Sequence, residues 1–339
     1  MEQATQTSSG YAVGETTFTA PRHHTIRADD GRVIDLAGRK NVFVIPSYGC
    51  NARCKFCVNQ ALHTSCRPVR HETQIARLDA LMATLPRGHK ITLTGGEVTM
   101  TPHLEDILRV LNKHRHDTYV MTNGFMLSRL VSSKHKPTGL VLSRHHWDEE
   151  INARMFGRKS VWLTNKDMIK WMRRLNKIGL NVNLNCVLSR DGLSTEDDVE
   201  RMLELGKKMG LSTIRFFDVF QCEPEDQSDY AVWARENKVD VRALTDNLSL
   251  DIATMYDNEI DLERTSWVDN IHVCFTTQKM CVMDPSTDHT RNDITFNPDG
   301  SLCQGAMQSQ SVITCGKNLL AAIAENAHPV YPGSATVNS

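Results

Sequence analysis

The sequence carries no strong charge of either sign. Its 39 Lys and Arg residues against 40 Asp and Glu leave a net charge of −1. No global field therefore draws the chain to nucleic acid or to a membrane surface, and neither is an expected partner. No apolar run reaches membrane-spanning length. The segment from Met1 to Ala20 is polar and lacks the basic start and apolar stretch of a secretory signal. A cytoplasmic location is the expectation that follows.

Cysteine, by contrast, is plentiful, with 10 among 339 residues. In a reducing compartment so many thiols point to metal binding or catalysis rather than to disulfides. Apolar residues make up 40% of the chain, enough for a sizeable core. The length suits an α/β barrel.

The chain then shows a regular alternation. Short β-branched runs occur at Val42–Ile45, Lys90–Thr94, Thr118–Thr122, Gly139–Ser143, Val182–Leu188 and Thr213–Phe220. Between them lie amphipathic stretches at Thr73–Leu85, His103–Lys113, Asn165–Ile178 and Thr195–Met209. In the third of these, Met168, Ile169, Met172 and Leu175 recur at helical spacing and Gly179 follows as a stop. Strands alternating with helices predict parallel β/α units. Periodicity alone leaves a partial barrel and a doubly wound sheet both open. A hairpin is expected at Thr25–Leu36, turning at Asp29-Asp30-Gly31. Beyond residue 222 the pattern loosens. Leu244–Tyr256 reads as one more helix, and Trp267–Cys315 shows no clear period.

Directly after the first strand stands Pro46-Ser-Tyr-Gly-Cys50-Asn-Ala-Arg-Cys54-Lys-Phe-Cys57. Three thiolates at CxxxCxxC spacing can bind three irons of a [4Fe–4S] cluster and leave the fourth open to another ligand. Structural zinc wants a fourth ligand, for which His63 and Cys66 are near in sequence. The loop's place at the carboxyl end of a first strand favours the cluster, because β/α folds put their chemistry there.

These residues resemble the radical S-adenosylmethionine (SAM) superfamily. The resemblance covers roughly residues 40–220. Beyond the cysteines and the aromatic Phe56, it rests on Thr94-Gly95-Gly96-Glu97, Met121-Thr122-Asn123-Gly124, Ser143-Arg144 and Asn185, each at a strand end. It implies a partial (β/α)6 TIM-type barrel with a C-terminal extension. It further implies that Cys50, Cys54 and Cys57 hold a [4Fe–4S] cluster. SAM would contact Phe56, Gly95, Gly96, Glu97, Thr122, Asn123, Ser143, Arg144 and Asn185. The implied activity is reductive cleavage of SAM to a 5′-deoxyadenosyl radical that takes hydrogen from a substrate. A flavodoxin or ferredoxin would be the reductant.

The implied layout is an extension over 1–38, a barrel over 39–222, a covering extension over 223–327 and a flexible tail over 328–339. Asn297-Pro-Asp-Gly-Ser-Leu-Cys303 is similar to a turn in superfamily members with a C-terminal auxiliary cluster, the molybdenum-cofactor cyclase and SPASM-twitch branch. That raises a second cluster on thiols among Cys222, Cys274, Cys281, Cys303 and Cys315, although close-set CxxC pairs are missing there. Substrate contacts are expected from Ser143–Glu150 with Asn152 and Arg154, from Arg215-Phe-Phe-Asp218 and from the Asn297 string. A small molecule, such as a nucleotide, nucleoside or sugar, is the expected substrate. A peptide- or RNA-modifying enzyme and a non-catalytic zinc or iron–sulfur module are the competing readings.

Overall fold

The computed structural model describes residues 10–13, 16–19, 24–38, 41–59, 68–220, 225–257, 262–277, 293–304 and 312–325. His63, Cys66, Cys222, Cys281 and the tail over 328–339 lie outside the described residues. Two antiparallel hairpins come first: β1 (Gly10–Val13) with β2 (Thr16–Thr19), then β3 (Thr25–Arg27) with β4 (Val33–Asp35). The second turns where the sequence predicts, with Gly31 at φ 86° and Asp30 accepting from the Arg32 backbone N–H.

Six parallel strands follow: β5 (Asn41–Val44), β6 (Lys90–Leu93), β7 (Asp117–Thr122), β8 (Gly139–Ser143), β9 (Asn181–Leu188) and β10 (Thr213–Asp218). The connecting helices are α1 (His71–Thr84), α2 (Leu104–Lys113), α3 (Leu127–Ser132), α4 (Glu149–Met155), α5 (Asn165–Lys177) and α6 (Glu196–Met209). Local chemistry sets their ends. Thr195 and Asp198 form a reciprocal capping box at the start of α6, and Gly210 closes it in the left-handed conformation. Thr164 caps α5, which buries Met168, Met172 and Leu175. Each fully buried aliphatic of this kind contributes about 1.5–3 kcal/mol.

The remaining elements are α7 (Asp229–Asn237), α8 (Val241–Asn247), β11 (Ala253–Asp257), β12 (Leu262–Val268), β13 (Ile271–Thr277), β14 (Asp293–Phe296), β15 (Leu302–Gln304), β16 (Val312–Thr314) and α9 (Leu319–Glu325). Here the structure corrects the sequence reading. Leu244–Tyr256 is not one helix: α8 ends before an extended Leu248, and β11 then pairs antiparallel with β12. All of β11 is exposed, so pairing rather than burial fixes it, and no periodic signal marks it. Among the described residues within Trp267–Cys315, β13 to β16 are four strands of three to seven residues, and β13 and β14 are joined to distant partners.

The sheet runs β11-β12-β13-β10-β9-β8-β7-β6-β5-β14-β15-β16 and stays open. β13 lies parallel beside β10, and β14 parallel beside β5. The partial-barrel strands are thus flanked on both sides by chain from beyond residue 222. One sheet face packs on the helices through Leu140, Leu142, Leu184, Ile214 and Phe216. Register puts alternate residues on the opposite, inner face. One row there is Ser143, Asn185, Arg215 and Cys274.

Candidate functional site

The three cysteines occupy the loop that leaves β5 at the carboxyl ends of the parallel strands. Among the described residues Cys50, Cys54 and Cys57 form no disulfide. Cys54 is buried in an apolar shell with Ala52 and Phe156, against which Cys50, Phe56, Cys57 and Trp162 pack. The Cys57 N–H donates to the Cys54 carbonyl at 3.1 Å, and the Ala52 N–H approaches the Cys50 sulfur at 3.4 Å. Burial pushes the Cys54 thiol well above its usual pKa, and neighbouring Cys57 and Cys50 push it further. Three thiols whose ionised forms repel one another in an apolar shell suit a cationic iron centre that neutralises them. The donor set fits the expected cluster.

The turn after β6 holds this loop. Gly96 N–H donates to the Ser47 carbonyl and Glu97 N–H to the Gly49 carbonyl, both at 2.9 Å. Gly95 has φ 111°, and a Cβ on it would sit 2.4 Å from Ile45 Cγ2. These glycines let two backbones touch, a packing role beside the cofactor role that the resemblance implies.

Glu97 is 3% exposed. Its Oε1 accepts from the Thr99 N–H at 2.9 Å and from the Thr99 and Thr122 hydroxyls at 2.6 Å each; Oε2 accepts from the Asn123 N–H at 2.7 Å. The carboxylate thus ties the end of β6 to the end of β7. Asn123 extends the tie, its amide donating to Asn51 Oδ1 at 2.8 Å within the cysteine loop.

At the end of β8 the pleat separates neighbours. Ser143 lies on the inner face and Arg144 on the helix side. The Arg144 guanidinium is 2% exposed and donates to the His146 carbonyl, the Leu163 carbonyl and Asn165 Oδ1 at 3.0, 3.2 and 2.6 Å. This corrects the expectation that its side chain meets SAM: the strand alternation turns it away, and desolvation lowers its pKa to about 10. His145 instead sits beside the loop, with its ring edge-on to Phe56 at 4.6 Å and against Phe156 at 4.8 Å. Its Nδ1 accepts from the Val187 N–H at 3.2 Å, and burial lowers its pKa to about 3, so it is neutral. His146 and Trp147 pack toward α6, where Trp147 donates to Asp198 at 3.2 Å.

The inner face beneath the loop is polar. Arg215 is exposed and forms part of the row with Ser143, Asn185 and Cys274. Asn183 Oδ1 and Thr276 Oγ1 on the same face are buried without a partner. In Arg215-Phe-Phe-Asp218, Phe217 shares the inner face while Phe216 and Asp218 turn outward. Buried Asp218 has its pKa raised to about 7 by desolvation. The Asn297 string also reaches the loop: Tyr48 donates to Asn297 Oδ1 at 3.1 Å, and Asn297 Nδ2 approaches Cys303 Sγ at 3.2 Å. The sequence reading missed Phe156, Arg158 and Trp162 as the wall of the cysteine loop. Their only signal was Gly157, whose left-handed turn brings that segment onto Arg53.

Residues 44–206 match the sequence model of the radical SAM superfamily. That segment, just under half of the chain, carries the radical SAM domain. It is 24% identical over 189 residues to the GTP 3′,8-cyclase of Aquifex aeolicus, covering 54% of this chain and 57% of the relative. It is 30% identical over 183 residues to the GTP 3′,8-cyclase of Nautilia profundicola, covering 51% and 54%. It is 26% identical over 155 residues to an S-adenosylmethionine-dependent nucleotide dehydratase of Flammeovirga pacifica, covering 43% and 53%. The chain therefore spans about half the length of these curated relatives. Among solved structures, Streptococcus suis SuiB bound to the precursor peptide SuiA superposes with a TM-score of 0.51 at 14% identity. That match covers 78% of this chain and 58% of SuiB, a likeness of fold. The radical SAM architecture here is an open sheet with a parallel centre, not a closed barrel. No helix among the described residues is long and apolar enough to cross a membrane.

Proposed function

We propose that this chain is a radical SAM enzyme that binds a [4Fe–4S] cluster through Cys50, Cys54 and Cys57 and acts on a small anionic substrate of the nucleotide class. The observation that carries the reading is the cysteine loop, hydrogen-bonded to the Gly95–Glu97 turn and set above an inner face with unpartnered polar groups. When bound, the cluster and SAM supply a 5′-deoxyadenosyl radical for hydrogen abstraction. The chain's own residues bind, orient and exclude water. Backbone groups at Gly95 and Gly96 and the ends of β7 and β8, with Thr122, Asn123 and Ser143, form the SAM shelf. Phe56 and Asn185 line it. Glu97 keeps the shelf in shape and retains acceptor capacity on Oε2 for an ammonium. Neutral His145 backs Phe56 and excludes water.

For the substrate, Arg215 supplies an exposed guanidinium suited to phosphate or carboxylate oxygens. Asn183, Asn185 and Thr276 supply neutral hydrogen bonds beside it. The three nucleotide-acting relatives favour this class over a peptide.

The test is anaerobic reconstitution, iron and sulfide analysis, and assay of 5′-deoxyadenosine with SAM and a strong reductant, with GTP and CTP as probes. About four irons and deoxyadenosine formation are expected. Nucleotide should stimulate cleavage in the wild type and do so several-fold less in Arg215→Ala. About eight irons would add an auxiliary cluster near Cys303. One zinc, no iron and no deoxyadenosine would replace the enzyme with a binding module.

A further inference from the structure

Away from the cysteine loop, His71, His103 and Asp106 bring three metal-ligating side chains together, one ligand atom of each lying within 4.8 Å of the other two. His71 opens α1, His103 immediately precedes α2, and Asp106 stands in the first turn of α2. His103 and Asp106 are three positions apart and so share one helix edge. The His71 and His103 rings stack with centroids 3.4 Å apart and planes 19° apart. His71 Nε2 lies 3.1 Å from Asp106 Oδ2. A tetrahedral zinc with bonds of about 2.0–2.1 Å separates its ligand atoms by about 3.3–3.4 Å, so this pair already spans one edge of such a sphere. His103 is exposed, and its ring can swing out of the stack toward the same point.

The backbones that present these side chains are fixed. Gln74, one turn into α1, donates to the Pro46 and Pro298 carbonyls at 3.0 and 3.2 Å. Arg129 donates to the Thr99, Thr101 and Pro102 carbonyls at 2.7, 2.7 and 3.1 Å and so pins the segment that ends at His103. A rigid frame of this kind is what a metal site requires. A second observation points to a ligand. His71 Nδ1 is buried and has no hydrogen-bond partner among the described residues. Ring packing alone leaves that nitrogen unsatisfied, which native folds rarely accept. A ligating imidazole instead uses both nitrogens, one on the metal and one as a donor to an acceptor such as a carboxylate. Arg109 approaches Asp106 through Oδ1 at 3.4 Å, which leaves Oδ2 on the side of the imidazoles. The amino ends of α1 and α2 carry partial positive charge and work against a cation. The Asp106 carboxylate offsets this in part. The imidazole donors then select a transition metal over magnesium or calcium, which prefer an all-oxygen shell.

We propose that His71, His103 and Asp106 form a zinc site, with solvent in the fourth position. The site is separate from the cysteine loop and does not depend on the enzymatic reading. The metal joins the amino end of α1 to that of α2. It thereby braces the segment between Glu97 and His103, which starts at the turn that holds the cysteine loop. Its role is structural: a metal that binds the folded chain alone raises its stability by mass action.

The experiment titrates zinc chloride into the anaerobically reconstituted full chain, whose cysteine loop is filled by its cluster. Wild type, His103→Ala and Asp106→Asn are compared by calorimetry, metal analysis and thermal melts. His103 is exposed, so its truncation leaves the fold intact. The wild type should take up about one zinc besides the cluster iron and melt at a higher temperature with it. Either variant should bind zinc at least about tenfold more weakly and lose the zinc-dependent rise in melting temperature. The iron content of His103→Ala and its melt without zinc should match the wild type. Zinc-edge X-ray absorption should show nitrogen and oxygen neighbours at about 2.0–2.1 Å. Equal zinc affinity in the wild type and His103→Ala would overturn the site. So would sulfur neighbours at about 2.3 Å, which place the metal on cysteine instead.

Discussion

Gly96 lies against Gly49 so closely that a Cβ on Gly96 would sit 2.1 Å from the Gly49 carbonyl oxygen. The cysteine loop and the turn after β6 are therefore one packed unit. Gly96→Ala forces backbone apart from backbone, where no side chain can rotate to relieve the overlap. The expected loss is at least about 1–3 kcal/mol of stability. Iron retained after reconstitution should fall with it. Thermal melts and iron analysis check this, and wild-type values in both would show that the loop adapts freely.

Cys54→Ala should remove the cluster and deoxyadenosine formation while the sheet stays folded. Loss of one buried sulfur costs about 1 kcal/mol, small against the whole core. Far-UV circular dichroism and the visible iron–sulfur absorbance separate the two effects. Retained SAM cleavage would remove Cys54 from the ligand set.

Glu97→Gln should act on structure as well as on SAM affinity. The carboxylate accepts four hydrogen bonds from Thr99, Thr122 and Asn123, and an amide nitrogen would face one of those donors instead. A cost of about 1–3 kcal/mol is expected. Denaturant titration with and without SAM reports both; weaker SAM binding at unchanged stability would make the role purely one of binding.

Acid should weaken the protein through its buried histidines before its ordinary, unshifted carboxylates titrate. Burial lowers the His116 pKa to about 4 from 6.5, with its Nε2 on the Met82 carbonyl at 2.9 Å. His145 is lowered to about 3 and His89 in the same direction, each chiefly by desolvation. At these three histidines the unfolded chain therefore binds more protons than the folded one between pH 6.5 and about 4, opposed by the one proton that buried Asp218 holds in the folded state below about pH 7. The histidines' share of the stability is full above pH 6.5 and falls as pH drops through that window. Urea midpoints from pH 7.5 to 4.5 should show the decline, and His116→Asn should flatten it. An identical slope in the variant would assign the decline to other groups.

The central strands and four of the helices were legible through a local period, and two of those helices also carry a side-chain cap. Asn165–Lys177 shows its apolar stripe, and Thr195 with Asp198 announces α6. The cysteine loop was legible because the spacing is itself the chemistry. What stayed hidden was set by partners far along the chain. Arg144 resembled a ligand-binding arginine, yet β8 alternation turns its side chain to the helices. β13 and β14 gave no sign of joining either flank of the parallel strands, since a mostly buried run of four to seven residues marks a strand without naming its neighbour. The wall of Phe156, Arg158 and Trp162 was hidden for the same reason.

The strand that launches the cysteine loop is completed by a strand far along the chain. β5 pairs with β14, and Asn41 donates at 2.8 Å to Asp293, 252 positions further along. At about 5–20 residues per second, translation takes on the order of tens of seconds to bridge that span. Through that interval the three thiols are already made while one side of their supporting strand lacks its partner. A chain stalled before β14 presents the cysteines without the completed sheet that holds them in place.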